Sequence, residues 1–253
     1  MKQIIVIILI LTSLQSQACS CEPLYMTEKY QNSDFIATAK ILSVEPNPTD
    51  KQTHFIEIEI LNLFKGSRVT KLLLNSRLNS SCAFMVSVNS TWLLFAKKDS
   101  QGFLMFSYCS NCEQIDKYAN QPVYQERHIK KINRKLDFLN FIKKNQLVVE
   151  DKYNLTLHHA NLDTDSLRGF DEKESLAVFE VIISSNLSIK SVSVIKPFSN
   201  SKLSQRIVEC LSNNSVIGKR KETSIPEETK IILAYFYYAS DGKYPSFVTQ
   251  FDL

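Results

Sequence analysis

The run His54–Phe64, HFIEIEILNLF, sets Phe55, Glu57 and Glu59 against Ile56, Ile58 and Ile60. Successive side chains of a strand point to opposite faces, so this alternation predicts a half-buried β-strand. Lys65-Gly66-Ser67 then turns the chain into a short strand at Val69–Asn75. Upstream, Pro46 and Pro48 punctuate a loop, and before it Phe35–Val44 (FIATAKILSV) is apolar and β-leaning. Downstream, Ser90–Lys97 (STWLLFAK) and Gly102–Tyr108 (GFLMFSY) pair across Asp99-Ser100-Gln101-Gly102. Residues 35–109 therefore hold about five strands separated by turn signals, the pattern of a small barrel or sandwich.

The period then changes. Across Tyr124–Lys144, Ile129, Ile132, Leu136, Leu139 and Ile142 recur every three or four residues, with charges between them. This predicts an amphipathic helix whose apolar stripe packs on the barrel. Residues 146–170 are polar and irregular and read as a linker. They contain His158-His159, but the chain has only four His and no acidic or Cys neighbour completes a metal set. A second unit, 171–253, follows. Leu176–Ile183 and Ile189–Ile195 read as strands around Ser184-Ser185-Asn186. Leu203, Ile207, Cys210 and Leu211 share one helical face, and Ile231–Tyr238 is strongly β-prone. The order β-β-α-β predicts a small α+β domain.

Composition bounds the function. The 253 residues are 44% hydrophobic and 22% charged, an ordinary globular balance. Five Gly leave little room for phosphate-cradling loops, and no GxxxxGK[ST], GxGxxG, HExxH or GxSxG motif is present. The reading is therefore non-enzymatic, with no cofactor. Charge is uneven: residues 19–148 carry a net of +5 and residues 149–253 a net of −2. Arg127–Lys144 holds seven basic residues against Asp137 alone, which reads as a solvated helix face rather than a nucleic-acid site.

Residues 1–18, MKQIIVIILILTSLQSQA, combine Lys2, an apolar run over Ile4–Leu11, and small residues at Ser16 and Ala18. These are the parts of a secretory signal peptide cut before Cys19. No other stretch reaches about 18 apolar residues, so no transmembrane segment is expected after cleavage. A cysteine at that point is also where a bacterial lipoprotein is acylated, but Ser16 and Gln17 fit that signal poorly, which argues against a lipid anchor. Export to an oxidising compartment, outside the cell or in the periplasm, favours disulfides among Cys19, Cys21, Cys82, Cys109, Cys112 and Cys210. Six Cys allow fifteen pairings. Five Asn-x-Ser/Thr sequons, at Asn79, Asn89, Asn154, Asn186 and Asn213, matter only in a glycosylating host.

The start expected after cleavage, Cys19-Ser20-Cys21-Glu22-Pro23, resembles the opening of the tissue inhibitors of metalloproteinases and the wider netrin-like domains. Phe35–Lys40 is similar to that family's first strand, Ile56–Gly66 to the strand closing in Phe-Lys-Gly, Thr91–Lys98 to its Ala-Lys strand, and Phe106–Cys109 to the strand ending in its fourth Cys. Ser81-Cys82-Ala83 stands where the family has Cys-Gly. The resemblance covers about 19–112, or 19–145 with the helix. It implies an OB-fold barrel with a flanking helix, and bridges Cys19–Cys82 and Cys21–Cys109. Loops of about 60 and 90 residues would each contribute about 4 kcal/mol through the unfolded chain. It also implies a mechanism. The freed α-amine and the carbonyl of Cys19 chelate a partner protease's catalytic zinc, and Ser20 enters the adjacent pocket. The partner-binding strip is thus Cys19, Ser20, Cys21 and Glu22. Glu22 and Ala83 depart from the family, as does the lack of a clear counterpart to the third disulfide of its animal members. More distantly, residues 170–253 resemble the TonB C-terminal domain through Ile189–Ile195, Leu203–Leu211, Gly218-Lys219-Arg220 and Ile231–Phe236.

Three functions follow. One is binding of a zinc metalloprotease through Cys19. The second is a non-inhibitory extracellular or periplasmic interaction module whose CxC only staples the N-terminus, with other extracellular or cell-envelope proteins as partners. The third is a thiol oxidoreductase using Cys109 and Cys112. A Cys112–Cys210 bridge would instead join the two units.

Overall fold

The computed structural model describes residues 19–159, 164–218 and 224–252. The expected signal segment 1–18 and the pair Lys219-Arg220 lie outside them. A six-residue helix α1 (Met26–Gln31) precedes five barrel strands: β1 (Phe35–Pro46), β2 (Thr53–Lys65), β3 (Lys71–Asn75), β4 (Thr91–Lys98) and β5 (Leu104–Ser107). The order β1-β2-β3-β5-β4 closes through antiparallel β1–β4 pairing, with β3 and β5 parallel. A two-residue strand β6 (Glu113–Gln114) adds to β4 before the long helix α2 (Pro122–Asn145). The closed barrel with a flanking helix is OB-fold-like.

The alternation in β2 does what its period requires. Ile56 and Ile58 are buried inside the barrel, while Phe55 and Glu59 are exposed. β1 and β4 read as unbroken apolar runs because both of their faces are covered. Phe35, Ala37, Ala39, Trp92, Leu94 and Ala96 point into the barrel. Ile36, Leu93 and Phe95 point out and pack with Phe138, Leu139 and Ile142 of α2. The buried face of α2 is Ile132, Lys135, Phe138, Leu139 and Ile142, rotated from the predicted stripe, so Ile129 and Leu136 are only partly covered.

The second unit is a four-stranded antiparallel sheet with a helix. The order is β12-β11-β8-β9, built from β8 (Leu176–Ile183), β9 (Ile189–Lys196), β11 (Thr229–Tyr238) and β12 (Phe247–Thr249). Helix α3 (Ser201–Asn214) buries Leu203, Ile207, Cys210 and Leu211 against one face, with Phe179, Leu233 and Tyr235. On the other face, Val178, Ile232, Ala234 and Phe236 join the cluster that contains α2 and the outer barrel residues. A single apolar layer thus joins barrel and sheet.

The segment 146–170 differs from the predicted irregular linker. Thr156–His159 forms strand β7, paired antiparallel with β10 (Ser215–Gly218), and Leu155, Leu157 and Leu167 enter the core of the second unit. A strand this short, paired with a segment far along the chain, leaves no local periodicity to read.

Candidate functional site

Residues 19–25 form a strip without regular secondary structure that leads into the short helix α1. Cys19 is bonded to Cys82 with Cα atoms 5.1 Å apart, and Cys21 to Cys109 at 5.3 Å. The Sγ atoms of Cys19, Cys21 and Cys109 lie within 4.8 Å of one another, so the two bridges are neighbours. These sulfurs are in S–S bonds and offer no thiolate to a resident metal. Ser20 and Glu22 are exposed between and beyond the anchored cysteines.

Each bridge lands on an anchored loop. Cys82 rides on the β3–β4 connection. There Ser76 is fully buried, donates from Oγ to the Gln52 carbonyl at 2.9 Å, and lies 3.0 Å from His54 Nδ1. The Ser80 hydroxyl accepts from the Cys82 amide at 3.1 Å. Phe84 pins the loop edge-to-face on Trp92, Phe106 and Tyr108, with centroids 5.6, 6.3 and 6.4 Å away. Ala83 is not among the residues with positive φ, so a side chain is tolerated where the resembled family has glycine. Cys109 sits in a 3-10 turn, Tyr108–Ser110, closed by left-handed Asn111, whose Nδ2 donates to the Cys109 carbonyl at 3.1 Å. Met85, Val88 and Tyr108 on these loops remain exposed.

Beyond the strip, α1 is held from two sides. From the barrel, Lys65 donates to the Tyr30 carbonyl at 2.7 Å and stacks over the Tyr30 ring at 4.7 Å. It thereby caps the last turn of α1. Burial pulls the Lys65 ammonium below its ordinary range. From the second unit, both Asp252 carboxylate oxygens accept from Lys29 Nζ at 2.9 Å. Asp252 also pairs with Lys135 of α2 at 2.8 Å, and Lys135 reaches Glu113 of β6. Burial raises the Asp252 carboxyl, but Lys135 and Lys29 outweigh it and hold it below its usual value. The local sequence pattern does not announce the partners in this cluster. Its one local signal is Lys135, three residues after Ile132 and four before Leu139, on the apolar face of a helix.

Two expectations are corrected. Neither Cys112 nor Cys210 is disulfide-bonded, so no bridge joins them. Cys210 instead fills the core beneath α3 as a small apolar side chain. Cys109 is bonded to Cys21 rather than to Cys112, so the CxxC supplies no dithiol pair. Burial pushes the Cys112 thiol up to about 12, where the thiolate is scarce at neutral pH. The basic face of α2 is largely engaged. Lys130 pairs with Glu126, Lys131 with Glu113, Arg134 stacks on Tyr238, and Lys143 donates to Asn62.

The site is thus a doubly bridged CxC strip on an OB-type barrel. Residues 17–136, just under half of the chain, match the family model of the tissue inhibitor of metalloproteinase. Over that stretch the chain is similar to the metalloproteinase inhibitors. No curated protein matches the chain. No helix among the described residues is long and apolar enough to cross a membrane.

Proposed function

We propose that the chain is exported, cut before Cys19, and binds a zinc metalloprotease through its new amino terminus. The observation that carries this reading is the double anchoring of Cys19 and Cys21 beside exposed Ser20 and Glu22. An α-amine has an ordinary pKa of about 7.7–8.0, so a useful neutral fraction exists at pH 7–8. Its nitrogen and the Cys19 carbonyl oxygen would fill the open position of the protease's zinc and displace its water. The zinc is the partner's. Ser20, small and exposed, would enter the neighbouring substrate pocket, and Met85, Val88 and Tyr108 would meet the rim of the cleft. The bridges fix the strip before binding, so little conformational freedom is lost on association. They also require an oxidising compartment.

One inserted alanine before Cys19 moves the amine away from the carbonyl without touching either disulfide. Inhibition constants of the mature and extended chains against a panel of zinc metalloproteases test the proposal. A loss of at least about a hundredfold on extension is expected, since a displaced zinc ligand is worth several kcal/mol. Equal inhibition by the two chains would rule out chelation.

A further inference from the structure

We propose that the C-terminal segment Gln250–Asp252 is a strap that fixes the exit of the zinc-directed strip, with Asp252 as its positioning residue. This rests on the reading of Cys19–Glu22 as the binding strip.

The bridges fix Cys19 and Cys21, and the next fixed point along the chain is Tyr25. Its ring meets Phe251 at 4.5 Å, and the Tyr238 hydroxyl holds the Phe251 carbonyl at 3.1 Å, tying the segment to β11. One turn into α1, Lys29 is clamped by Asp252, and Met26 is fully buried in the layer between barrel and sheet. A helix of six residues is not stable alone, so the placement of α1 depends on these contacts. Lys65 grips the last turn of α1 from the barrel, and the strap grips the N-cap Tyr25 and Lys29 from the second unit. Between Cys21 and Tyr25 lie only Glu22, Pro23 and Leu24, and Pro23 restricts its own backbone and that of Glu22. With both ends pinned, the residues next to the partner's zinc leave the site in one direction, and the second unit supplies one of the pins. Neutralising Asp252 would leave the ammoniums of Lys29 and Lys135 facing Glu113 alone.

The test is peptide-resolved hydrogen exchange on the mature full chain and its Asp252→Asn, Asp252→Glu and Phe251→Ala variants, alongside binding to a zinc metalloprotease. In Asp252→Asn, exchange across 22–31 should rise about tenfold while β1 and β4 stay as protected as before, because the opening is local. Asp252→Glu should restore most of the protection. Binding should weaken about tenfold in Asp252→Asn, through faster dissociation. Unchanged exchange across 22–31, or an equal rise throughout the barrel, overturns the strap. If Asp252→Asn does not fold, Phe251→Ala decides by the same criterion. If the unaltered chain binds no metalloprotease, the functional reading fails, and the exchange data still decide the strap.

Discussion

At Gly66 the backbone runs at φ +85°, and a Cβ there would stand 2.5 Å from the Asp34 carbonyl oxygen. Glycine is required twice over, by conformation and by space. The residues before it are equally committed: Phe64 packs beneath α2, and Lys65 caps α1. The Phe-Lys-Gly sequence is thus the joint between barrel, long helix and strip. Gly66→Ala should cost about 1–3 kcal/mol, the range for one strained backbone position, read as a shift in the denaturation midpoint. A turn at Lys65-Gly66-Ser67 was legible because glycine after a strand is a strong local signal. Lys135 was not, because a lysine among charges reads as solvated until Asp252 and Glu113 arrive from distant parts of the chain.

Among the elements, α3 shows how a cap is made from outside a helix. Glu172 Oε1 accepts from the Lys173 and Glu174 amides at 2.7 Å and from the Ser199 amide at 3.1 Å and hydroxyl at 2.5 Å. Its Oε2 accepts from the Asn200 amide at 2.7 Å, while Asn200 Oδ1 accepts from the Leu203 amide at 3.2 Å as the helix cap. Partial burial raises the Glu172 carboxyl, but these donors outweigh it and bring it down to about 2. A depressed carboxylate contributes stability that is present above its unfolded pKa, near 4.3, and lost as pH falls toward 2. Thermal midpoints between pH 5 and 2 should therefore fall more steeply for the native chain than for Glu172→Gln, which should start lower and lose less. Parallel curves would show that the carboxylate is not coupled to folding. The longer strands were legible from alternation or from apolar, β-prone runs, and α2 and α3 from period 3.6. α1, β6, β7, β10 and β12 were not, because two to six residues carry too few side chains to establish a period.

For the whole molecule, the decisive feature is the layer in which Phe64, Leu93, Phe138 and Ile142 meet Val178, Ile232 and Phe236. Two units that read as separate domains in sequence share this core, and the sharing brings Asp252 to the helix behind the strip. The strip itself was legible, because a CxC at an expected cleavage point is an uncommon pattern with a chemical meaning. Its support from the far end of the chain was not, since no local pattern encodes a contact between Lys29 and Asp252. Replacement of the water on a protease's catalytic metal by the amine and carbonyl of Cys19 can be watched at the metal itself. The experiment is the visible absorption spectrum of a cobalt-substituted zinc metalloprotease titrated with the mature chain. Exchange of a water ligand for an amine and a carbonyl should change the cobalt bands at one equivalent, and the alanine-extended chain should leave them as they were. Inhibition with unchanged bands would place the contact elsewhere on the protease and contradict chelation by Cys19.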